Sequence, residues 1–401
     1  MQLNTLFKHL RGDRAIWALV AMLAIFSFMP VYSASTNLVY VVGNGSTIGH
    51  LIKHAVLLLM GFAIMFAVHK IPYRYFSGGA VIMYPVVIVL LIYTLSQGTT
   101  MGGANASRWI RVPIVGVGFQ TSTLAALVLM VYVARYMSRN KDKVIQFKES
   151  FIQLWLPVGF ALALILPANF STTAIVFFVI LVLVFLGGYP VKYILYILGM
   201  GVVILSLFVL TVKAFPDVMS NRVNTWQSRI ENFSDPNEKE GYQVEKAKIA
   251  IATGGVTGRG PGKSVQKNFL PQSTSDFIYA IIIEEYGLIG GFVVLFFYFM
   301  LLMRILVAAK KAGTVFGTML VISIGIPIIF QAMINMAVAT NLLPVTGQTL
   351  PLISSGGTSI WMTCFGLGII LSVSSANEVT EEELAVEDEN PLSILHETIH
   401  D

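Results

Sequence analysis

The stretch "GLIGGFVVLFFYFMLLMRILVAA", residues 287–309, holds 23 consecutive residues of which only Arg304 is charged. A helix needs about 20 mainly apolar residues to cross roughly 30 Å of bilayer hydrocarbon. Inside a bilayer only helices and closed barrels satisfy their backbone polar groups. The stretch therefore predicts a transmembrane helix and, with it, a membrane fold.

The rest of the chain follows the same pattern. Its 401 residues are 56% apolar and 12% charged, and the mean hydropathy is +0.76, which excludes an ordinary soluble globule. Nine further apolar runs occur at 15–33, 48–68, 79–95, 114–136, 152–166, 173–186, 191–212, 315–337 and 350–373. Together the runs predict an all-α polytopic protein with ten transmembrane helices. The fifth and sixth are short, so we expect their connecting turn "PANFSTT", with Asn169, to lie recessed below the outer surface.

The distribution of Lys and Arg predicts the orientation, because basic residues near helix ends are retained on the cytoplasmic side. With both termini inside, fourteen of these residues lie in cytoplasmic segments, against Lys53, Arg108 and Arg111 in the short outer loops. The long loop between helices seven and eight, residues 213–286, is then outside. We expect one membrane domain over 1–374 and an acidic, unstructured cytoplasmic tail over 375–401. The basic pI thus reflects topology and does not indicate nucleic-acid binding.

The tail contains "HETIH", His396 to His400, which fits the H-E-x-x-H zinc motif. It lies in an acidic segment interrupted by proline, and the sequence offers no obvious third zinc ligand. A solvated tail is the favoured interpretation.

The outer loop contains "TGRGPGKS", Thr257 to Ser264, which resembles a P-loop but has Thr257 where the first glycine is required. Nucleotide hydrolysis is therefore disfavoured. A Gly-rich loop with Arg259, Lys263 and Lys267 can still hold a lipid-linked pyrophosphate. An ordinary surface loop is an equal alternative.

Acids on the outer side are confined to positions 217 to 285, and Asp276 stands apart because "FIYAIII" follows it directly. This predicts a carboxylate at the boundary between loop and membrane, where it can act as a general base. The alternative is a helix cap, since "STSD" is also an N-terminal capping signal. Glu284 and Glu285 would lie about 12 Å further along an unbroken helix, too far for a hydrolytic pair. Membrane anchoring or pairing with loop cations is favoured for them.

Two other outer segments carry candidate substrate contacts. "ANASRWIRVP" places Arg108 and Arg111 around Trp109, either as an interfacial anchor or as a phosphate contact. "LLPVTGQTLPLISSGGTS" is rich in Pro, Gly and Ser, which predicts a non-helical re-entrant loop that must be buried in protein or line a cavity. Gln348 and Ser354 belong to this loop.

Four segments carry a resemblance to a known family: "SRWIRVPIVGVGFQTSTLAALVLMVYVARY" (107–136), "GYQVEKAKIAIATGGVTGRGPGKSVQKNFLPQSTSDFIYAIIIEEYGLIGG" (241–291), "QAMINMAVATNLLPVTGQTLPLISSGGTS" (331–359) and, more weakly, "PANFSTTA". They resemble the SEDS family (shape, elongation, division and sporulation), the polytopic glycosyltransferases of bacterial cell-wall synthesis. "KSVQKNFLP" is more similar to the division branch than to the elongation branch. The first hundred residues agree only in hydropathy.

The resemblance implies a peptidoglycan glycosyltransferase of the bacterial inner membrane that polymerises lipid II at the division septum. The family pattern L-P-E-x-x-T-D-F-I-F matches "LPQSTSDFIY" and puts the essential aspartate on Asp276 as general base. The substrate-binding residues it implies are Arg108, Trp109, Lys263, Ser264, Lys267, Gln348 and Ser354. No cofactor is certain, although a divalent cation such as Mg or Mn is an alternative for stabilising the pyrophosphate.

The implied partners are lipid II, the nascent glycan, a class B penicillin-binding protein transpeptidase of the FtsI type, and division proteins of the FtsQ, FtsL and FtsB type. The chain departs from the family where Q-P-S-E and a following lysine become "QTST" and then Ala126, so an acid and a base are missing. Two other classes stay open. A lipid II flippase would also need ten spans and a polar cavity, and a non-catalytic division scaffold would not need Asp276.

Overall fold

The computed structural model describes residues 10–40, 46–97, 100–101, 104–105, 109–111, 118–214, 241–270 and 273–388. Its helices are α1 Arg14–Tyr40, α2 Thr47–Val68, α3 Arg74–Gln97, α4 Thr121–Arg139, α5 Phe147–Ser150, α6 Leu156–Ile165, α7 Phe170–Leu186, α8 Val191–Ala214, α9 Tyr242–Gly254, α10 Ile278–Lys311, α11 Val315–Ala339 and α12 Gly357–Asp388. A π-helical turn, Phe151–Trp155, joins α5 to α6, and a 3-10 turn spans Gln266–Asn268. Two antiparallel hairpins pair β1 Thr100–Met101 with β2 Ala104–Asn105 and β3 Trp109–Arg111 with β4 Gly118–Gln120.

The predicted set of membrane helices is confirmed. Within the described ranges, nine helical spans are long and apolar enough to cross a bilayer, and α7 adds a shorter apolar helix of 17 residues. The fifth span runs over Phe147–Ile165, because α5, the π turn and α6 form one continuous rod. The polar residues Lys148, Glu149 and Ser150 hid its beginning from the hydropathy pattern.

Three further helices begin at residues that differ from the sequence-based prediction by seven or more positions. The fourth helix begins at Thr121 rather than 114, because β4 precedes it, and the tenth begins at Gly357 rather than 350, because the apolar residues before it form a turn. The eighth begins at Ile278, nine residues before the predicted run and inside the segment predicted as outer loop. Hydropathy reports apolar content but not backbone conformation, so it misplaces such ends.

The last helix also continues to Asp388, beyond the predicted domain boundary after residue 374. The first part of the acidic segment is thus helical rather than unstructured. The motif His396 to His400 lies outside the described residues.

The core packs α1, α2, α10, α11 and α12 around one large apolar cluster. Helices α2 and α12 approach each other closely at Gly61. A Cβ added at this glycine would lie only 2.8 Å from Sγ of Cys364. Small residues at such contacts let membrane helices pack backbone to backbone. A second cluster joins α4, the fifth span and α7.

An ion pair and a hydrogen bond join three helices near one end of the bundle. Arg304 Nε, near the end of α10, donates to Asp13 Oδ2 at 2.9 Å, and its Nη2 donates to the same oxygen at 2.5 Å. Asp13 Oδ1 also caps α1 by accepting from Ala15 N at 2.8 Å. The backbone N–H of Asp13 donates to Ser374 Oγ on α12 at 3.1 Å. Asp13 therefore fixes the start of α1 to both neighbours.

Candidate active site

Helix α10 is broken at Gly287, whose φ of 70° and ψ of −173° are not helical. The Gly-rich loop after α9 packs into the break. A Cβ at Gly287 would overlap the carbonyl oxygen of Val256, and a Cβ at Gly258 would overlap that of Glu285. Only glycine fits at both positions, since each also has a positive φ. The first two turns of α10 thus form a separate short segment.

Glu284 lies just before this break and is fully buried. Its Oε1 accepts from the backbone N–H of Val265 at 3.0 Å and its Oε2 from that of Gln266 at 3.2 Å. The hydroxyl of Ser264 also donates to Oε2, and the guanidinium of Arg259 lies 3.5 Å from Oε1. These contacts confirm the interpretation that a loop cation pairs with this acid.

Glu285 is 1% exposed and reaches α1. Its Oε1 accepts from the hydroxyl of Ser33 and from the N–H of Ser264 at 3.4 Å. Lys267 Nζ donates to Ser33 Oγ at 3.0 Å and to the carbonyl oxygen of Gly262 at 2.8 Å. Two residues of the P-loop-like stretch, Arg259 and Ser264, therefore bind carboxylates of their own chain.

The predicted substrate residues Ser264 and Lys267 belong to this glutamate cluster. A separate cavity borders Asp276, and neither Ser264 nor Lys267 lines it. Lys263, from the same loop, is exposed. Arg108 lies outside the described residues. For Trp109 the structure describes the backbone, which pairs with that of Gln120 between strands β3 and β4.

Asp276 lies in the turn that precedes α10. The helix begins at Ile278 with Phe277 at its N-cap, so Asp276 stands one residue before the capping position. The N-cap position is therefore taken by Phe277 rather than by Asp276. Phe277 is completely buried and anchors the turn in the core. The carboxylate of Asp276 instead borders a cavity.

This cavity has a volume of about 430 Å³ and is lined by α4, α7, α11, α12, the turn before α10 and the re-entrant loop. Among the lining residues that the structure describes, Asp276 is the single ionisable group. The remaining lining is polar at one end and apolar at the other: Gln120, Thr123, Ala126, Met130, Thr172, Ile175, Val176, Val179, Thr274, Ser275, Pro327, Gln331, Gly347, Gln348, Thr349, Ser355, Gly356 and Ser359. Such a mixed lining suits a ligand with a polar head and an apolar part.

The re-entrant loop is non-helical and lines the cavity, as predicted. Gly347 has a φ of 70°, and a Cβ added there would lie 3.5 Å from Asp276 Oδ2. Beside it, Gln348 Nε2 donates to Thr172 Oγ1 at 3.1 Å, which joins the loop to the first turn of α7. Asn169 caps that turn by accepting from Thr172 N at 3.2 Å and is buried. The turn with Asn169 is thus recessed into the protein.

Ser354 fixes the loop to the turn that carries Asp276. Its hydroxyl donates to the carbonyl oxygen of Ser275 at 2.6 Å and accepts from Leu350 N at 2.7 Å. The N–H of Ser355 donates to Thr274 O at 2.9 Å. Ser354 is 1% exposed, so it positions the neighbours of Asp276 rather than lining the cavity itself.

Asn335 of α11 makes a second link that the sequence analysis missed. Its Nδ2 donates to the carbonyl oxygen of Asp276 at 2.8 Å and to that of Gln348 at 2.7 Å. A polar amide within an apolar membrane helix is itself a signal of function, because such groups are energetically costly there. The pattern "QAMINMAVA" contained that signal.

Thr123 and Ala126, the positions where the acid and base of the family pattern are missing, both line the cavity. The acid and the base that the family pattern has at these two positions are therefore both absent from this wall of the cavity. Within the described ranges no group of three or more His, Cys, Asp or Glu side chains comes together. A divalent cation in this cavity would be bound by Asp276 together with phosphate oxygens of the substrate, which is a set of ligands typical of Mg²⁺.

The fold and the site define a class of protein: a multi-pass helical membrane protein with a polar cavity that holds one carboxylate. The chain belongs to the FtsW/RodA/SpoVE family of cell cycle proteins, which matches residues 13–379.

Relatives match nearly the whole chain. A protein of Geobacter sulfurreducens named "Probable peptidoglycan glycosyltransferase FtsW" is 32% identical over 367 residues, which cover 91% of this chain and 95% of that protein. A protein of the same name from Nitrosomonas europaea is 29% identical and covers 93% and 95%.

Two solved structures share the fold. A chain of a peptidoglycan synthase complex that coordinates polymerization and crosslinking has a TM-score of 0.69 at 24% identity, over 91% of this chain and 98% of that one. The rod shape determining protein RodA of Thermus thermophilus has a TM-score of 0.64 at 24% identity, over 91% and 97%.

Proposed function

We propose that this protein is a peptidoglycan glycosyltransferase that polymerises lipid II during cell division, with Asp276 as its general base. The relatives named FtsW support the activity, and one observation carries the assignment of the base. Of the described residues that line the cavity, which is polar at one end and apolar at the other, Asp276 alone is ionisable.

In the proposed reaction the 4-hydroxyl of a GlcNAc acceptor attacks the anomeric carbon of the donor MurNAc. Asp276 accepts the hydroxyl proton, a C–O bond forms to the acceptor, and the bond to undecaprenyl pyrophosphate breaks with inversion. A single displacement needs one base and no carboxylate nucleophile. The commitment of Glu284 and Glu285 to the Gly-rich loop supports that scheme, because neither lines the cavity.

The departing pyrophosphate needs positive charge or hydrogen-bond donors. Arg108 and Lys263 are the cations proposed for this role, with Trp109 beside them. Ser264 and Lys267 would act on the substrate only indirectly, by holding the loop that carries Lys263. Gln348 would contact the sugars, and Ser354 would keep the cavity wall in place. A divalent cation such as Mg or Mn, when bound, would neutralise the pyrophosphate.

The proposed setting is the bacterial inner membrane at the division septum, with both termini in the cytoplasm. The proposed partners are the nascent glycan, a class B penicillin-binding protein transpeptidase of the FtsI type, and division proteins of the FtsQ, FtsL and FtsB type. The fold shared with a chain of a peptidoglycan synthase complex supports the transpeptidase. The relatives named FtsW support the division branch.

A lipid II flippase is the second candidate. Alternating access usually places ionisable coupling groups near the membrane midplane. Here the carboxylate lies before the first turn of α10, at one end of the bundle. That position favours polymerisation.

The test is polymerisation of labelled lipid II by the purified protein with its transpeptidase, comparing wild type with Asp276→Asn. We expect glycan chains from the wild type and none from the variant, while both unfold at the same temperature. Ser323→Ala, which changes a buried residue of α11 outside the cavity lining, serves as the control and is expected to retain activity. Equal product from wild type and Asp276→Asn would exclude Asp276 as the base. Translocation of lipid II in liposomes without any product would favour the flippase.

A further inference from the structure

A second cavity, of about 400 Å³, lies beside the C-terminal end of α4. Helix α4 begins next to Gln120 at the Asp276 cavity and ends at Arg139. Its 19 residues span about 27 Å at 1.5 Å per residue. The second cavity therefore lies at the opposite membrane face, away from the proposed chemistry.

Three cations converge on this cavity: Arg135, Arg139 and Lys143. In the part of the chain that the structure describes, none of them forms a salt bridge, and no carboxylate lines the cavity. The acids nearest in sequence, Asp142 and Glu149, lie outside the lining. Arg135 and Arg139 are one helical turn apart, so they repel each other. An anion in the cavity would relieve that repulsion.

The cavity walls are held in place by hydrogen bonds between helices. Arg135 Nη1 donates to the carbonyl oxygen of Ser77 at 2.6 Å and to its Oγ at 2.7 Å, which joins α4 to α3. The hydroxyl of Tyr132 donates to the carbonyl oxygen of Gln153 at 2.5 Å, which joins α4 to the π turn. Arg135 therefore has one nitrogen anchored, and the other N–H groups of its planar guanidinium can donate to two oxygens of a phosphate.

The surroundings of the cavity are apolar and exposed. Val81 lines it and is 44% exposed, and its neighbour Ile82 is 70% exposed. On the other side Ile152, next to the lining residue Gln153, is 55% exposed. In a bilayer such side chains face acyl chains, and the cavity lining includes Tyr132 and Tyr136, a residue type enriched at the level of the head groups.

We propose that this cavity binds the phosphate of an anionic phospholipid head group, with the acyl chains lying along the exposed faces of α3 and the π turn. A free phosphate ion has the same oxyanion chemistry but would gain nothing from the apolar rim. The site is independent of the Asp276 cavity, so it holds whether or not the proposed reaction is correct.

The test is native mass spectrometry of the full chain in neutral detergent, titrated with phosphatidylglycerol, phosphatidylcholine or inorganic phosphate. The variant carries two substitutions, Arg139→Gln and Lys143→Gln. The control carries Lys148→Gln and Lys310→Gln, which remove the same two positive charges from exposed positions outside the cavity. We expect one phosphatidylglycerol to bind in preference to phosphatidylcholine and the variant to weaken this binding about tenfold, through lost charge-assisted hydrogen bonds. The control should bind as the wild type does, and inorganic phosphate should not displace the lipid.

Equal weakening by variant and control would overturn the proposal, because it would indicate general surface charge. So would equal binding of the two lipids. Binding of inorganic phosphate, with the same dependence on Arg139 and Lys143 but without phosphatidylglycerol binding, would overturn the lipid assignment and identify a soluble anion. Equal unfolding temperatures of variant and control in phosphatidylcholine establish that both are folded.

Discussion

Nδ2 of Asn335 lies 2.8 Å from the carbonyl oxygen of Asp276 and holds the turn before α10 against α11. The same nitrogen holds Gln348 of the re-entrant loop. One buried amide thus sets the distance between the proposed base and the facing cavity wall.

Replacing Asn335 with leucine should lower the turnover rate in lipid II polymerisation. The change removes the donor that Asn335 supplies to two carbonyl groups and lets the Asp276 turn shift, and small misplacements of a reacting group cost up to about a hundredfold in rate. We expect kcat to fall by at least about tenfold with KM little changed, at a temperature well below unfolding, because the lost hydrogen bonds also lower the unfolding temperature. The control is Ser323→Ala on the same helix, whose hydroxyl donates to Leu320 O. Loss of activity in both variants, or a higher KM with an unchanged kcat, would contradict a positioning role.

Gly347→Ala tests the wall beside the carboxylate. The positive φ of Gly347 costs an alanine about 1 kcal/mol or more, and the added methyl would lie 3.5 Å from Asp276 Oδ2. We expect slower polymerisation by a protein that folds normally. Gly188→Ala carries similar strain with nothing within 4 Å, far from the cavity. Equal activity of the two variants would show that this contact is unimportant.

Gly258→Ala should destabilise the protein far more than Gly262→Ala. Both glycines have positive φ, but only at Gly258 would a methyl overlap the backbone of α10. We expect roughly 1–2 kcal/mol for strain alone at Gly262 and several kcal/mol at Gly258. Thermal unfolding in detergent measures the difference, and similar unfolding temperatures would argue that the loop does not pack into the break.

Glu284→Gln should affect stability more than chemistry. The carboxylate accepts from Ser264, Val265 and Gln266, and hydrogen bonds to a charged group contribute about 2 kcal/mol each. We expect a lower unfolding temperature and near-normal turnover by the folded fraction. Glu245→Gln, which removes an exposed acid paired with Lys246, is the control. A stable but inactive Glu284 variant would instead place this residue in the chemistry.

The sequence predicted what depends on composition and local pattern. The ten apolar runs marked the membrane helices, and the Pro, Gly and Ser density of the loop around Gln348 marked a non-helical wall. The break of α10 escaped prediction, because Gly287 is followed by apolar residues and its conformation depends on the distant Gly258. The roles of Ser264 and Lys267 also depend on tertiary contacts, since the partners that engage them, Glu284 and Ser33, lie elsewhere in the chain.

Helix α1 is attached to α10 at two points that lie on opposite sides of the membrane. Asp13 bonds to Arg304 at one end, and Ser33, about 30 Å along the helix, bonds to Glu285 at the other. The first attachment lies after the break at Gly287 and the second before it. Helix α1 therefore acts as a splint across the break in α10, and a shift of the segment that follows Asp276 relative to the rest of α10 would have to break one of these two attachments.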